Sequence, residues 1–126
     1  MIDIRKQIDY WKDGAAEELT VSSGLFADGR TRHGLFFLHL TIEKVLKAHV
    51  CKTTGEIAPR SHNLLRLTDI TGLPVSDSER EFLGELSLFN IEGRYPEFQS
   101  EVPNDMEVQR IRRETERLYT WLLEQL

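Results

Sequence analysis

Three ionisable side chains, His39, Glu43 and Lys47, follow one another at four-residue spacing within HGLFFLHLTIEKVLKAHV, residues 33–50. On a helix that spacing stacks them along a single strip. A carboxylate or ammonium in apolar surroundings must be paired or hydrogen-bonded, or must face a cleft. A second cluster is NIEGRYP, residues 90–96, where Asn90, Glu92, Arg94 and Tyr95 crowd beside a helix-breaking proline. Arg94 can clamp a phosphate or carboxylate through two parallel bonds, and Tyr95 can stack on a base. An architectural alternative stands beside that chemistry: Arg94 pairs with Glu43 or Glu92, and Tyr95 packs over the end of the bundle.

Stronger motifs are absent from the sequence. It holds no glycine-rich phosphate loop, no HExxH and no CxxC. The four histidines are His33, His39, His49 and His62. His39 and Glu43 have the spacing to share a metal, but a site needs three or four ligands and no further donor declares itself. Neither a metal nor a cofactor is expected.

The elements that must position these residues are helices. Ile4, Ile8, Trp11, Ala15, Leu19 and Ser22 recur at steps of four and three, which predicts a helix over about residues 3–27 with Gly29 as its stop. Gly14 and Gly24 weaken it, and Gly14 admits a close neighbour. The link of residues 28–31 is short enough to turn the next helix antiparallel. That central helix, about residues 31–53, carries Leu35, Phe36, Phe37, Leu38, Leu40, Ile42, Val45, Leu46, Ala48 and Val50. So wide an apolar surface belongs in the middle of a bundle. Ser61 is the expected cap of a short third helix that ends at Gly72 and Pro74. Asp77 is expected to cap a fourth helix, with Phe82, Leu83, Leu86, Phe89 and Asn90 inward, stopped by Pro96. Asn104 or Asp105 caps the last, where Val108, Ile111, Thr115, Leu118 and Leu122 form the inward stripe and Arg110, Arg112, Arg113 and Arg117 a solvated face. No stretch shows sustained alternation of period two. The expected fold is all-α: an up-and-down bundle of four long helices and one short helix, forming a single domain over residues 1–126.

The bulk numbers set bounds on function. At 126 residues, 40% hydrophobic and 29% charged, the chain can bury a sizeable core. No apolar run approaches the ~20 residues of a membrane helix, and the N-terminus lacks the apolar stretch of a secretory signal. A lone Cys51 fits a reducing cytoplasm and reads as an inert thiol. A net charge of −5 confines any RNA contact to a local patch.

The sequence resembles the HEPN family of small helical domains. The matching pieces are Tyr10-Trp11, then Phe36-Phe37-Leu38-His39-Leu40 with Ile42-Glu43-Lys44 and Leu46-Lys47-Ala48, then Arg60-Ser61-His62-Asn63-Leu64, and finally Asn90-Ile91-Glu92 with Arg94-Tyr95-Pro96. They span most of the chain in the expected order, and the family's bundle of four long helices and a short one agrees with the periodicity. The resemblance implies one of two functions. Many relatives are ribonucleases, often toxins of toxin–antitoxin pairs, with four to six residues separating a histidine from the arginine that Arg94 matches. Others lack that pair and resemble substrate-binding or partner subunits of small nucleotidyltransferases. Here the positions due a histidine are Gln99, Ser100 and Glu101. Attack by a 2′-hydroxyl calls for a proton acceptor near neutral pH, which neither Gln99 nor Ser100 can be.

The leading expectation is therefore a non-catalytic HEPN-type binding module that engages a nucleotide or a small nucleotidyltransferase partner. His39, Glu43, Lys47, His62, Arg94 and Tyr95 would line its cleft. The alternative is a metal-independent ribonuclease that uses Arg94 with a displaced histidine, His39 or His62. A third reading is structural, with Glu43 bridging Lys47 and Arg94. Leu88, Phe98 and Val102 fall outside the inward stripes, which suggests a homodimer.

Overall fold

The computed structural model describes residues 2–98 and 101–126. Within them lie five α-helices and no strand: α1 Ile4–Ala27, α2 Thr31–Thr54, α3 Leu64–Thr71, α4 Asp77–Arg94 and α5 Asp105–Gln125. A 3-10 turn, Pro96–Phe98, follows α4.

Local chemistry sets each boundary. Asp3 opens α1 by accepting the Lys6 N–H at 3.1 Å, and Gly29 closes the turn after it at φ 75°. Gly55 takes the left-handed conformation at the end of α2. Two expected caps move by a residue or two. Asn63, not Ser61, caps α3, and the Ser61 hydroxyl instead accepts the Asn63 N–H at 3.2 Å. Ser76, not Asp77, caps α4 in a capping box, its hydroxyl taking the Glu79 N–H while Glu79 Oε1 takes the Ser76 N–H at 2.8 Å. The extended backbone falls at Ser76, which leaves Asp77 in the first turn, where its charge suits the helix dipole. Asn104 caps α5. The helix α4 stops at Arg94, one residue before Tyr95 and Pro96.

The axis of the fold is α2, which packs on α1, α3, α4 and α5. Among the described residues α1, α4 and α5 make no close backbone approach to one another. That is why α2 is apolar on so many sides. Leu35, Leu38, Ile42, Val45 and Leu46 are at most 1% exposed and meet Ala15, Leu67, Leu83, Leu86, Ile111 and Leu118 in one core. Each such aliphatic side chain contributes roughly 1.5–3 kcal/mol by leaving water. Close approach of α1 is aided by Gly14, where a Cβ would stand 3.1 Å from Lys44 Cδ, while Lys44 Nζ reaches Glu18 at 3.5 Å. The inward stripe of α5 is buried as its spacing requires. On its outer side Arg110 pairs with Glu85, Glu107 and Glu114, and Arg112 lies over the Phe26 ring.

No helix among the described residues is long and apolar enough to cross a membrane.

Candidate functional site

The strip of His39, Glu43 and Lys47 faces the interior, and its partner His62 reaches the surface. The Glu43 side chain is 4% exposed and that of Lys47 is 6% exposed, while the side chain of His62 is 47% exposed. Glu43 Oε2 accepts from Lys47 Nζ at 3.1 Å, and Glu43 Oε1 accepts from His62 Nδ1 at 2.9 Å. His39 Nε2 donates to the His62 carbonyl at 3.1 Å, which ties the loop before α3 to the middle of α2. With that proton on Nε2, His39 Nδ1 carries a lone pair; it stands 3.8 Å from Glu43 Oε1 with no hydrogen bond among the described residues. Burial lowers the His39 pKa, against the raising pull of Glu43, and the Arg94 charge lowers it too. His39 is thus kept neutral and serves as a strut.

The arrangement at His62 is different. A neutral imidazole that donates from Nδ1 to a carboxylate holds its lone pair at Nε2. That nitrogen has no partner among the described residues, and His62 lies on one lip of a groove of about 330 Å³ between the start of α3 and α4. The opposite wall is Gly84, Ser87, Asn90 and Ile91, and Ser87 Oγ is buried there without a partner among the described residues.

Arg94 is exposed at the end of α4. Its Nε donates to Asn90 Oδ1 at 2.8 Å, and its guanidinium lies 5.3 Å from the centre of the Phe36 ring. No carboxylate pairs with Arg94 among the described residues. The expected pairing of Arg94 with Glu43 or Glu92 is therefore corrected. Glu43 bridges Lys47 and His62, and Glu92 faces Arg32 at 3.6 Å. A neutral amide in place of a carboxylate leaves the Arg94 charge undiminished. Tyr95 is 49% exposed and meets Phe98 edge-on at 6.3 Å.

The six candidate residues thus form one connected region around α2 and the end of α4, except that Tyr95 turns outward. Gln99 and Ser100, two of the three positions due a histidine, lie outside the described residues; Glu101 is exposed. Of the other histidines, His49 is buried and donates to the Leu122 carbonyl at 2.8 Å, and His33 lies exposed at the start of α2. No group of three or more potential metal ligands gathers among the described residues. Cys51 is buried, and burial raises its pKa, so its thiolate is suppressed.

Two participants were not among the predicted site residues. Trp11 roofs the network, with Lys47 Nζ 5.0 Å from its ring centre and its own Nε1 buried without a hydrogen bond among the described residues. Phe36 carries Arg94 on its ring and lies 6.4 Å from the His39 ring, their planes 30° apart. Both stood in the sequence as apolar positions and as pieces of the family resemblance, neither of which separates a platform for a cation from an ordinary core residue.

The crystal structure of TT1696 from Thermus thermophilus is similar, with a TM-score of 0.79 at 19% identity over 95% of this chain and 98% of that one. At that identity the likeness concerns the fold. A comparison with curated proteins gives no match. The family model for the HEPN domain matches residues 8–126. The chain belongs to the HEPN domain family.

Proposed function

We propose that this protein is a non-catalytic HEPN binding module, a single up-and-down bundle acting in the cytoplasm, which takes a nucleotide at the Arg94 end of α4. The observation that carries this reading is the state of Arg94: exposed, aimed by Asn90 and Phe36, and unpaired with any carboxylate among the described residues. A guanidinium so held presents its remaining N–H groups to a phosphate in fixed geometry. His62 and Asn90 supply a lone pair and an amide on the adjoining groove. Buried Glu43 and Lys47 support the site by fixing His62 and do not touch the ligand.

The same reading includes a protein partner, a small nucleotidyltransferase, and a second copy of the chain. Leu88, Ile91, Tyr95 and Phe98 are each at least 41% exposed and follow one another along the outer side of α4 and the turn after it. A run of exposed apolar groups of this kind suits an interface. The test is affinity for nucleoside monophosphates. Arg94→Ala should abolish it with the fold intact, and equal affinity in both proteins would refute the assignment.

A second reading has one specific observation in its favour, the 2.9 Å contact between Glu43 and His62 Nδ1. A carboxylate behind an imidazole is how a general base is oriented, and Arg94 would then stabilise the developing negative charge on phosphorus. Under it the protein is a metal-independent ribonuclease, a toxin of a toxin–antitoxin pair, with His62 in the displaced role. Cleavage of structured RNA in EDTA that is lost in both Arg94→Ala and His62→Ala would favour this reading over the first.

A further inference from the structure

Beside the Phe36 ring that carries Arg94 is a slot of about 200 Å³ lined by Arg32, His33, Phe36, Phe37 and Gly93. It opens between the first turns of α2 and the last turn of α4, separate from the groove at His62. Its walls are the Phe36 and Phe37 rings, set edge to face with centres 5.8 Å apart. Gly93 packs directly on the Phe36 wall: a Cβ there would stand 2.5 Å from Phe36 Cδ2 and 3.0 Å from Phe36 Cγ. Arg32, anchored by Glu92 at 3.6 Å, and the exposed His33 add polar groups to the lining.

We infer that this slot receives a single unstacked nucleobase, whose own phosphate rests on Arg94. Its size is below the ~300–1,000 Å³ of pockets that enclose drug-sized ligands, so it admits one ring system and not a whole nucleotide. Its walls are aromatic, and every base has a flat face to offer such walls. The position of Phe36 links the two parts, for one ring both lines the slot and supports the guanidinium. A ribose is the connector such a layout requires. The ligand class is therefore a nucleoside monophosphate or a single-stranded nucleotide; a paired base in a duplex has both faces covered and cannot enter.

This inference rests on the reading that Arg94 takes a phosphate, and the experiment separates the two. Calorimetric titration compares adenosine, cytidine, guanosine and uridine monophosphates with ribose phosphate, which carries no base. At least one monophosphate should bind about fivefold to a hundredfold more tightly than ribose phosphate, the range that stacking on an aromatic side chain gives. Phe37→Leu should bring that monophosphate down to the level of ribose phosphate, and Gly93→Ala, which forces Phe36 to move, should do likewise. Matching circular dichroism melts would show that each variant is folded. If all four monophosphates bind only as well as ribose phosphate while Arg94→Ala abolishes binding, the slot is refuted and the Arg94 reading stands. If Arg94→Ala leaves every affinity unchanged, both fall.

Discussion

Glu43 and His62, nineteen residues apart in the chain, meet at 2.9 Å, and the carboxylate oxygen not used by His62 holds Lys47 at 3.1 Å. One buried carboxylate thus satisfies a buried ammonium and orients an exposed imidazole. Removing its charge has unequal consequences for the two partners. Glu43→Gln leaves Lys47 charged in an apolar interior and should lower stability by about 3–5 kcal/mol, measured by urea denaturation. The pair Glu43→Leu with Lys47→Met removes both charges and should recover most of that loss, since apolar replacements of a buried ion pair are often neutral. A double variant no more stable than Glu43→Gln would refute this account of the network.

Arg94 should behave in the opposite way. It is exposed and makes one side-chain hydrogen bond among the described residues, so Arg94→Ala should change stability little, within about 0.5 kcal/mol. Nucleotide affinity should nevertheless be lost in Arg94→Ala, and Arg94→Lys should not restore it, because an ammonium has neither the planar fork nor the flat fit on Phe36. Full rescue by lysine would show that only a point charge is needed.

Two buried histidines give the stability a pH dependence of known sign. Burial lowers the pKa of both His39 and His49 below the ordinary value near 6.5. Protons then bind the unfolded chain more tightly than the folded one, so stability is full above about pH 6.5 and declines as pH falls through the folded pKa values. The denaturation midpoint should drop between about pH 6.5 and pH 5, a window in which most carboxylates remain ionised. His49→Gln should flatten that drop in part. A midpoint constant across the window would contradict the neutral state of these rings.

Two glycines on either side of the first turn make opposite predictions. At Gly34 a Cβ would stand 2.6 Å from Phe26 Cε1, so Gly34→Ala should destabilise by about 1–3 kcal/mol through overpacking. At Gly24 nothing lies within 4 Å, and Gly24→Ala should stabilise α1 by up to about 1 kcal/mol. Thermal melts of the two variants should shift in opposite directions.

Much of this architecture was legible in the residues. Apolar spacing together with glycine and proline breakers located α1, α2 and α4 and the start of α5 to within a residue or two, because each helix has a consistent inward stripe. Caps were harder to read. Ser61 and Asn63 both have the chemistry to cap α3, as Ser76 and Asp77 have for α4, and only the backbone angle decides between neighbours. The site divided along the same line. Contacts four residues apart, Glu43 with Lys47 and Asn90 with Arg94, follow from helical geometry alone. The meeting of Glu43 with His62 and of Arg94 with Phe36 depends on how a loop returns to α2 and where α4 crosses it. No local spacing encodes either.

The hub-and-spoke packing on α2 has an evolutionary consequence. Because α4 packs closely only on α2 and α3 among the described residues, its outward residues owe nothing to α1 or to the backbone of α5. Leu88, Ile91 and Tyr95 can therefore be exchanged without repacking the remaining spokes. A lineage could in this way alter the outer face of α4 while Glu43 and Lys47 stay under an unrelated constraint, that of keeping the interior neutralised.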